Sequence, residues 1–313
     1  MRCRNSLLIV LLAFVTAAAF GQQPAVRRYG LFIGANDGGR ERVTLRWAVS
    51  DAERVAEVMT EIGGVRPPDS YLITNPTARD LELQFQHLSD RIETDADHVR
   101  RTEIVVYYSG HSDESGLMLG SDHLSYVDLR RLIDTAGADV SIAILDSCAS
   151  GAFTRLKGGS FTQPFLMDDG SDVQGHAFLA SSSADEASQE SDSLGSSFFT
   201  HYLVSGLRGA ADTSDDKVVT LDEVYLYARE ETLERTLNTF AGPQNPSFDF
   251  QLTGTGSLVL TDLSVVDASV VLDESIAGTV FISRARGGFV ADVDKAPVLE
   301  LSLALPAGEY VLA

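Results

Sequence analysis

Cys148 and His111 are the two side chains whose chemistry and placement match. Cys148 follows the apolar run Val140–Leu145 (VSIAIL) through Asp146 and Ser147. His111 follows the run Glu103–Tyr108 (EIVVYY) through Ser109 and Gly110. Both runs read as strands, and the composition of Val140–Leu145 reads as buried on both faces. Reactive side chains in open α/β sheets gather at the carboxyl ends of strands. A helix opened in capping-box style by Ser125 and Asp128 separates the two runs. A right-handed crossover through that helix sets the strands side by side and brings Cys148 and His111 to one edge. A thiol and an imidazole sharing one edge can act on a single carbonyl carbon. The thiolate attacks, and the imidazole helps form it and then protonates the leaving amine.

Such an edge needs an α/β scaffold, and the chain encodes one. Tyr29–Gly34, Ser70–Thr74, Ala177–Ser181 and Phe248–Leu252 read as further strands. Leu45, Ala48, Ala52, Val55, Met59 and Ile62 recur at helical spacing and stop at Gly63-Gly64. Leu81, Phe85, Leu88 and Ile92 mark a second helix, Phe198–Leu207 another, and Thr220 with Glu223 caps the helix that follows. Alternating strands and helices imply a mostly parallel sheet covered on both faces. Residues 149–175 lack periodicity, are rich in Gly, Ser and Asp, and are long for an internal loop, the mark of a functional segment. From about Asp262 the helices cease. Ser269–Leu272, Thr279–Ser283, Val298–Leu303 and Glu309–Leu312 read as short strands of a small all-β unit. The chain stops within the last of these, consistent with a truncated unit. The remaining histidines do not share metal-ligand spacing, and no serine-hydrolase elbow, phosphate loop or dinucleotide fingerprint occurs.

The 313 residues carry 24 Lys and Arg against 45 Asp and Glu, a net charge of −21. That acidity argues against a nucleic-acid partner, which needs clustered positive charge. Two cysteines cannot form a disulfide framework. Arg2 and Arg4 precede the apolar run Leu7–Phe20, and small residues follow. This pattern reads as a signal peptide, residues 1–21, cut before Gln22, too short for a typical membrane span. Export to a periplasm or the exterior is the expectation, with no membrane association beyond the signal. Cleavage removes Cys3, leaves Cys148 as the one cysteine, and takes the charge to −23. The sequence sets no oligomeric state.

Tyr107-Tyr108-Ser109-Gly110-His111 and Leu145-Asp146-Ser147-Cys148-Ala149-Ser150-Gly151 resemble the two signatures of caspase-like cysteine peptidases, metacaspases and bacterial orthocaspases above all. Ala180–Glu190 is similar to the start of the small subunit in that group, and Ile33-Gly34, Trp47-Ala48 and Asp51-Ala52 fit it. The resemblance spans about Tyr29 to Thr261 and implies a caspase-like α/β fold, a mostly parallel six-stranded sheet with helices on both faces. The peptidase domain would cover residues 22–261: a large-subunit-like part to about 157, a linker over 158–175 and a small-subunit-like part over 176–261. The all-β unit follows over 262–313.

The resemblance further implies a Cys148–His111 dyad hydrolysing peptide bonds. The backbone N–H groups of Cys148 and Ser112 would hold the oxyanion. The family usually has Gly where this chain has Ser112, and a serine serves only if its backbone angles suit an L-residue. That departure supports an alternative, a catalytically weak relative acting as a binding or scaffold module. A different cysteine hydrolase on a similar sheet is a second alternative. Asp146 and Asp185 occupy positions that line the primary specificity pocket in metacaspase-like enzymes, and paired carboxylates favour Arg or Lys. Arg155 and Lys157, in the Gly-rich loop after the nucleophile, are candidate self-cleavage points. No cofactor is required. Calcium stays an option, because Asp212, Ser214, Asp216 and Glu223 nearly match a calcium loop, with Lys217 where that loop needs Gly. The plain reading of the same residues is a polar loop leading into a capped helix.

Overall fold

The computed structural model describes residues 26–40, 42–148, 150–154, 173–183, 186–266, 268–297 and 300–313. Residues 1–21, expected to be a signal peptide, and Arg155, Lys157 and Asp185 lie outside the described residues. In chain order, β1 (Val26–Ala35) leads to α1 (Ala48–Glu61), β2 (Val65–Thr74), α2 (Ala78–Ala96) and β3 (Arg101–Ser112). A hairpin of β4 (Gly116–Leu119) and β5 (Asp122–Ser125) precedes α3 (Tyr126–Thr135), β6 (Val140–Asp146) and the one-turn α4 (Gly151–Thr154). Then come β7 (Gln174–Ala180), the short pair β8 (Glu190–Ser191) and β9 (Ser196–Ser197), and α5 (Phe198–Ser205). A π-helical turn over Gly206–Ala210 continues α5, followed by β10 (Val218–Thr220), α6 (Leu221–Thr236), β11 (Ser247–Thr253) and β12 (Val259–Asp262).

The main sheet runs β11-β7-β6-β3-β1-β2. β2, β1, β3, β6 and β7 are parallel and β11 is antiparallel to β7. The strand period of two divides each strand between two cores. Val105 and Tyr107 of β3, with Ile142 and Ile144 of β6, pack against α1, α5 and α6. Ile104, Val106 and Tyr108, with Ala143 and Leu145, pack against α2 and α3. β6 is buried along its whole length, as its composition requires. Helix starts follow the polar signals: Ser125 caps α3, and Thr220 with Glu223 forms a full capping box on α6. The β4–β5 hairpin and the β10–β12 pair lay outside the expected pattern, because each strand is shorter than a readable alternation.

Past a short 3₁₀ turn the C-terminal unit comprises β13 (Ser269–Leu272), β14 (Gly278–Arg284), β15 (Phe289–Lys295), β16 (Leu301–Ala304) and β17 (Tyr310–Leu312). β13 pairs with β16, and β14 pairs with β15 and β17, all antiparallel. Leu272, Ile282, Val290, Val293, Leu303 and Leu305 form its own small core. β15 went unexpected because its sequence FVADVDK carries two aspartates, and Asp292 is nonetheless buried. The unit is docked on the sheet domain. Arg208, 2% exposed, pairs with Glu61 at 2.9 Å and reaches the Ala304 carbonyl. Among the described residues no helix is long and apolar enough to cross a membrane. Thr220→Ala removes the hydroxyl that accepts from the Glu223 N–H and should cost about 1 kcal/mol in urea unfolding; Thr220→Ser should restore it.

Candidate active site

β3 and β6 are hydrogen-bonded neighbours with Ser109 opposite Asp146. The two chains therefore leave the sheet side by side, one carrying His111 and the other Cys148. The expected adjacency of the two strand ends is what the fold builds.

His111 is seated by backbone. Its Nε2 lies 2.8 Å from the Val43 carbonyl oxygen. A carbonyl only accepts, so this contact places a proton on Nε2 and leaves Nδ1 as the basic nitrogen. Gly38 packs against the other surface of the ring, where a Cβ would fall 2.3 Å from Cδ2 of His111. Cys148 is half-buried, with Sγ 3.9 Å from the Ser188 carbonyl oxygen. Burial pushes its thiol above the ordinary cysteine range, and the Asp146 charge adds to the shift. Cys148 is thus a thiol at rest, and the imidazole Nε2 is held by the Val43 carbonyl.

Ser112 removes the objection raised by its side chain. Its φ is negative, unlike the non-glycine residues Asn75, Asp215 and Lys217, so β3 needs no glycine there. The Asp113 N–H donates to the Gly116 carbonyl, which makes Ser112 and Leu117 a non-hydrogen-bonded pair of the β3–β4 ladder. The Ser112 N–H therefore points out of that ladder. The Ser112 hydroxyl donates to the carbonyl oxygen of Cys148. One residue thus ties the histidine strand to the Cys148 peptide.

Asp146 is 2% exposed and sits in a cage of hydroxyls. Ser188 Oγ donates to Oδ1 at 2.6 Å, and Thr200 Oγ1 to Oδ2 at 2.5 Å. Ser197, the N-cap of α5, also donates its hydroxyl to Oδ2. The amino end of α5 adds its positive dipole to the same carboxylate. Tyr107 Oη closes the cage at 2.5 Å from Thr200 Oγ1.

Asp51 of α1 was not among the expected site residues. Ser196 Oγ donates to it at 2.5 Å and the Ser197 N–H at 3.1 Å, so Ser197 bridges the two aspartates. Burial first, then the Asp146 charge, pushes Asp51 up to about 8. Arg54 Nη1 stands 3.7 Å from Asp51. The sequence signal was available, an acid on the apolar face of an amphipathic helix, but its partner depends on where β9 runs. In the loop of Asp212, Ser214, Asp216 and Glu223, Ser214 Oγ donates to Asp212 Oδ1 at 3.4 Å, and burial first, with the Asp216 and Glu223 charges adding, pushes the Asp212 carboxyl up. Asp212 accepts from the Lys217 N–H at 3.1 Å, and Glu223 accepts from the N–H and hydroxyl of Thr220 as the α6 cap. Among the described residues no cluster of three or more His, Cys, Asp or Glu is placed to hold a metal.

A sheet with this strand order and a thiol and imidazole on adjacent strand ends defines a class of α/β cysteine hydrolase. The caspase domain family matches residues 27–255, most of the chain, and the protein belongs to that family. It is a caspase-like cysteine peptidase. The crystal structure of caspase-1 from Spodoptera frugiperda is similar, at 13% identity and a TM-score of 0.49, covering 77% of this chain and 91% of that one. No curated protein matched.

Gly38→Ala should push the His111 ring aside. A catalytic group misplaced by about 1 Å can cost on the order of 100-fold in rate. Steady-state kinetics should show that loss in kcat, with the circular dichroism spectrum unchanged.

Proposed function

We propose that the protein is an endopeptidase that cleaves after Arg or Lys, with Cys148 as nucleophile and His111 as acid and base. The observation carrying the basic preference is the pair of buried carboxylates, Asp146, two residues before Cys148, and Asp51, bridged by Ser197. Among the described residues the cation paired with them is Arg54, on Asp51 alone. A guanidinium or ammonium from substrate favours ionisation of both acids, whereas an aspartate side chain opposes it. Asp185, expected in the same pocket, lies outside the described residues.

In the reaction, His111 Nδ1 takes the thiol proton as Sγ attacks the peptide carbonyl. The N–H groups of Cys148 and Ser112 receive the oxyanion, and His111 returns its proton to the leaving amine. Water then hydrolyses the acyl-enzyme. The strand conformation of Ser112 supports this reading over a catalytically weak scaffold. Export rests on the basic, apolar and small-residue pattern of residues 1–21, and self-cleavage on Arg155 and Lys157 beside a nucleophile selective for basic residues. Mapping fragments of wild type and Cys148→Ala after incubation tests the latter: cuts after Arg155 or Lys157 should need Cys148. No step is routed through calcium.

A fluorogenic peptide ending in Arg should be cleaved by wild type and left intact by Cys148→Ala, and its Asp counterpart should be a poor substrate for both. Asp51 holds its proton below about pH 8, and a bound cation favours the ionised form. The kcat/KM for the Arg peptide should therefore rise as pH climbs through that value. Asp51→Asn should remove this limb and weaken the preference for Arg. An Asp51→Asn profile identical to wild type would contradict the role of Asp51.

A further inference from the structure

Phe289 and Asp292 of the C-terminal unit touch the residues flanking both buried carboxylates. The His201 ring stacks on Phe289 with centroids 4.0 Å apart and 29° between planes. The guanidinium of Arg54 lies over the same phenyl ring, 5.4 Å from its centroid. Arg54 is the cation 3.7 Å from Asp51. His201 follows Thr200, whose hydroxyl donates to Asp146. Phe289 therefore sits between the neighbour of one carboxylate and the neighbour of the other.

Asp292 reinforces the grip three residues along β15. Its Oδ1 is 2.9 Å from His201 Nε2, off the angle of a hydrogen bond, and both side chains are buried. Its N–H donates to Ser205 Oγ at 3.0 Å, one turn of α5 beyond His201. Two points one turn apart fix both the position and the rotation of a helix. The rotation of α5 decides whether Ser197 and Thr200 face Asp146. A buried aspartate and histidine are costly in an interface needed only for adhesion between units, where apolar contacts would serve.

We infer that β15 is a positioning strand for the specificity site, and that Phe289 and Asp292 act through Arg54 and His201 to set the two carboxylates for a basic substrate. The C-terminal unit is then part of the peptidase and not a separate binding module. This inference rests on the proposed preference for Arg and Lys, and it adds the residues outside the family domain that tune it.

The test uses the full chain. Phe289→Leu keeps an apolar side chain of similar bulk and removes both ring contacts, and Phe289→Tyr keeps the ring. Asp292→Ala removes the contact with His201 while retaining the N–H to Ser205. For each, kcat and KM on the Arg peptide are measured beside the rate of Cys148 alkylation by iodoacetamide, which reads the nucleophile without the pocket. Thermal melting confirms that each variant is folded. Phe289→Leu should raise KM about three- to tenfold, the scale of an aromatic contact. Its kcat should change less than about twofold and its alkylation rate should stay at the wild-type value. Asp292→Ala should act in the same direction and Phe289→Tyr should restore KM. An unchanged KM in both Phe289→Leu and Asp292→Ala overturns the inference. A parallel fall in kcat and alkylation rate also overturns it, since that reports general loosening. Wild type cleaving no Arg peptide would sink the basic preference and this inference together; wild type cleaving it, with unaltered variants, sinks this inference alone.

Discussion

The pairing register of β3 and β6 governs the site. With Ser109 opposite Asp146, the carboxylate faces the core beneath α5 and the next residues carry the thiol to the histidine strand. Side chains on a strand alternate faces, so a slip of one residue would turn Asp146 into the core beneath α2 and α3, away from its hydroxyl partners. The register is held by burial: Val105 and Tyr107 on one face and Ile104, Val106 and Tyr108 on the other each have a fixed apolar core to fill. The polar network then adds its own constraint. Asp146 is satisfied only if Ser197 and Thr200 arrive on α5 and Ser188 arrives from the preceding loop. Sheet packing and helix capping thus meet in one carboxylate.

Two features of the site follow from exclusion of water. Burial keeps Cys148 as a thiol at rest, so the proposed mechanism relies on His111 at the moment of attack and not on a preformed ion pair. Burial also keeps Asp51 protonated to an unusual pH beside Asp146. On the proposed reading, a cationic substrate side chain favours ionisation of the buried acid pair as the peptide carbonyl meets the sulfur.

Much of this was legible in the sequence. Cys148 and His111 each follow a continuous apolar run, and the helix between them enforces adjacency, so their juxtaposition could be read directly. Asp146 was legible for the same reason, as a charged residue closing a fully apolar strand. Whether Ser112 could stand where the family usually has Gly turned on its backbone angles, and the extended strand there needs no glycine. Asp51 carried a signal on its helix face but not its partner, and Ser197, Thr200 and Val43 were out of reach. Each owes its role to contacts across long stretches of chain, and nothing in the local pattern of a helix face or a loop carbonyl states its partner. β15 was missed because Asp292 broke the apolar alternation, and its burial against α5 is the feature that ties the C-terminal unit to the site.

The central claim is that Cys148 is a nucleophile served by a pocket built for positive charge. The most direct measurement is covalent labelling with matched peptidyl chloromethyl ketones ending in Arg or Asp, followed by mass spectrometry of the digested protein. The account requires a single adduct on Cys148, formed far faster by the arginyl reagent and slowed when Asp146 is replaced by Asn. Equal rates for the two reagents, or an adduct elsewhere than Cys148, would contradict it.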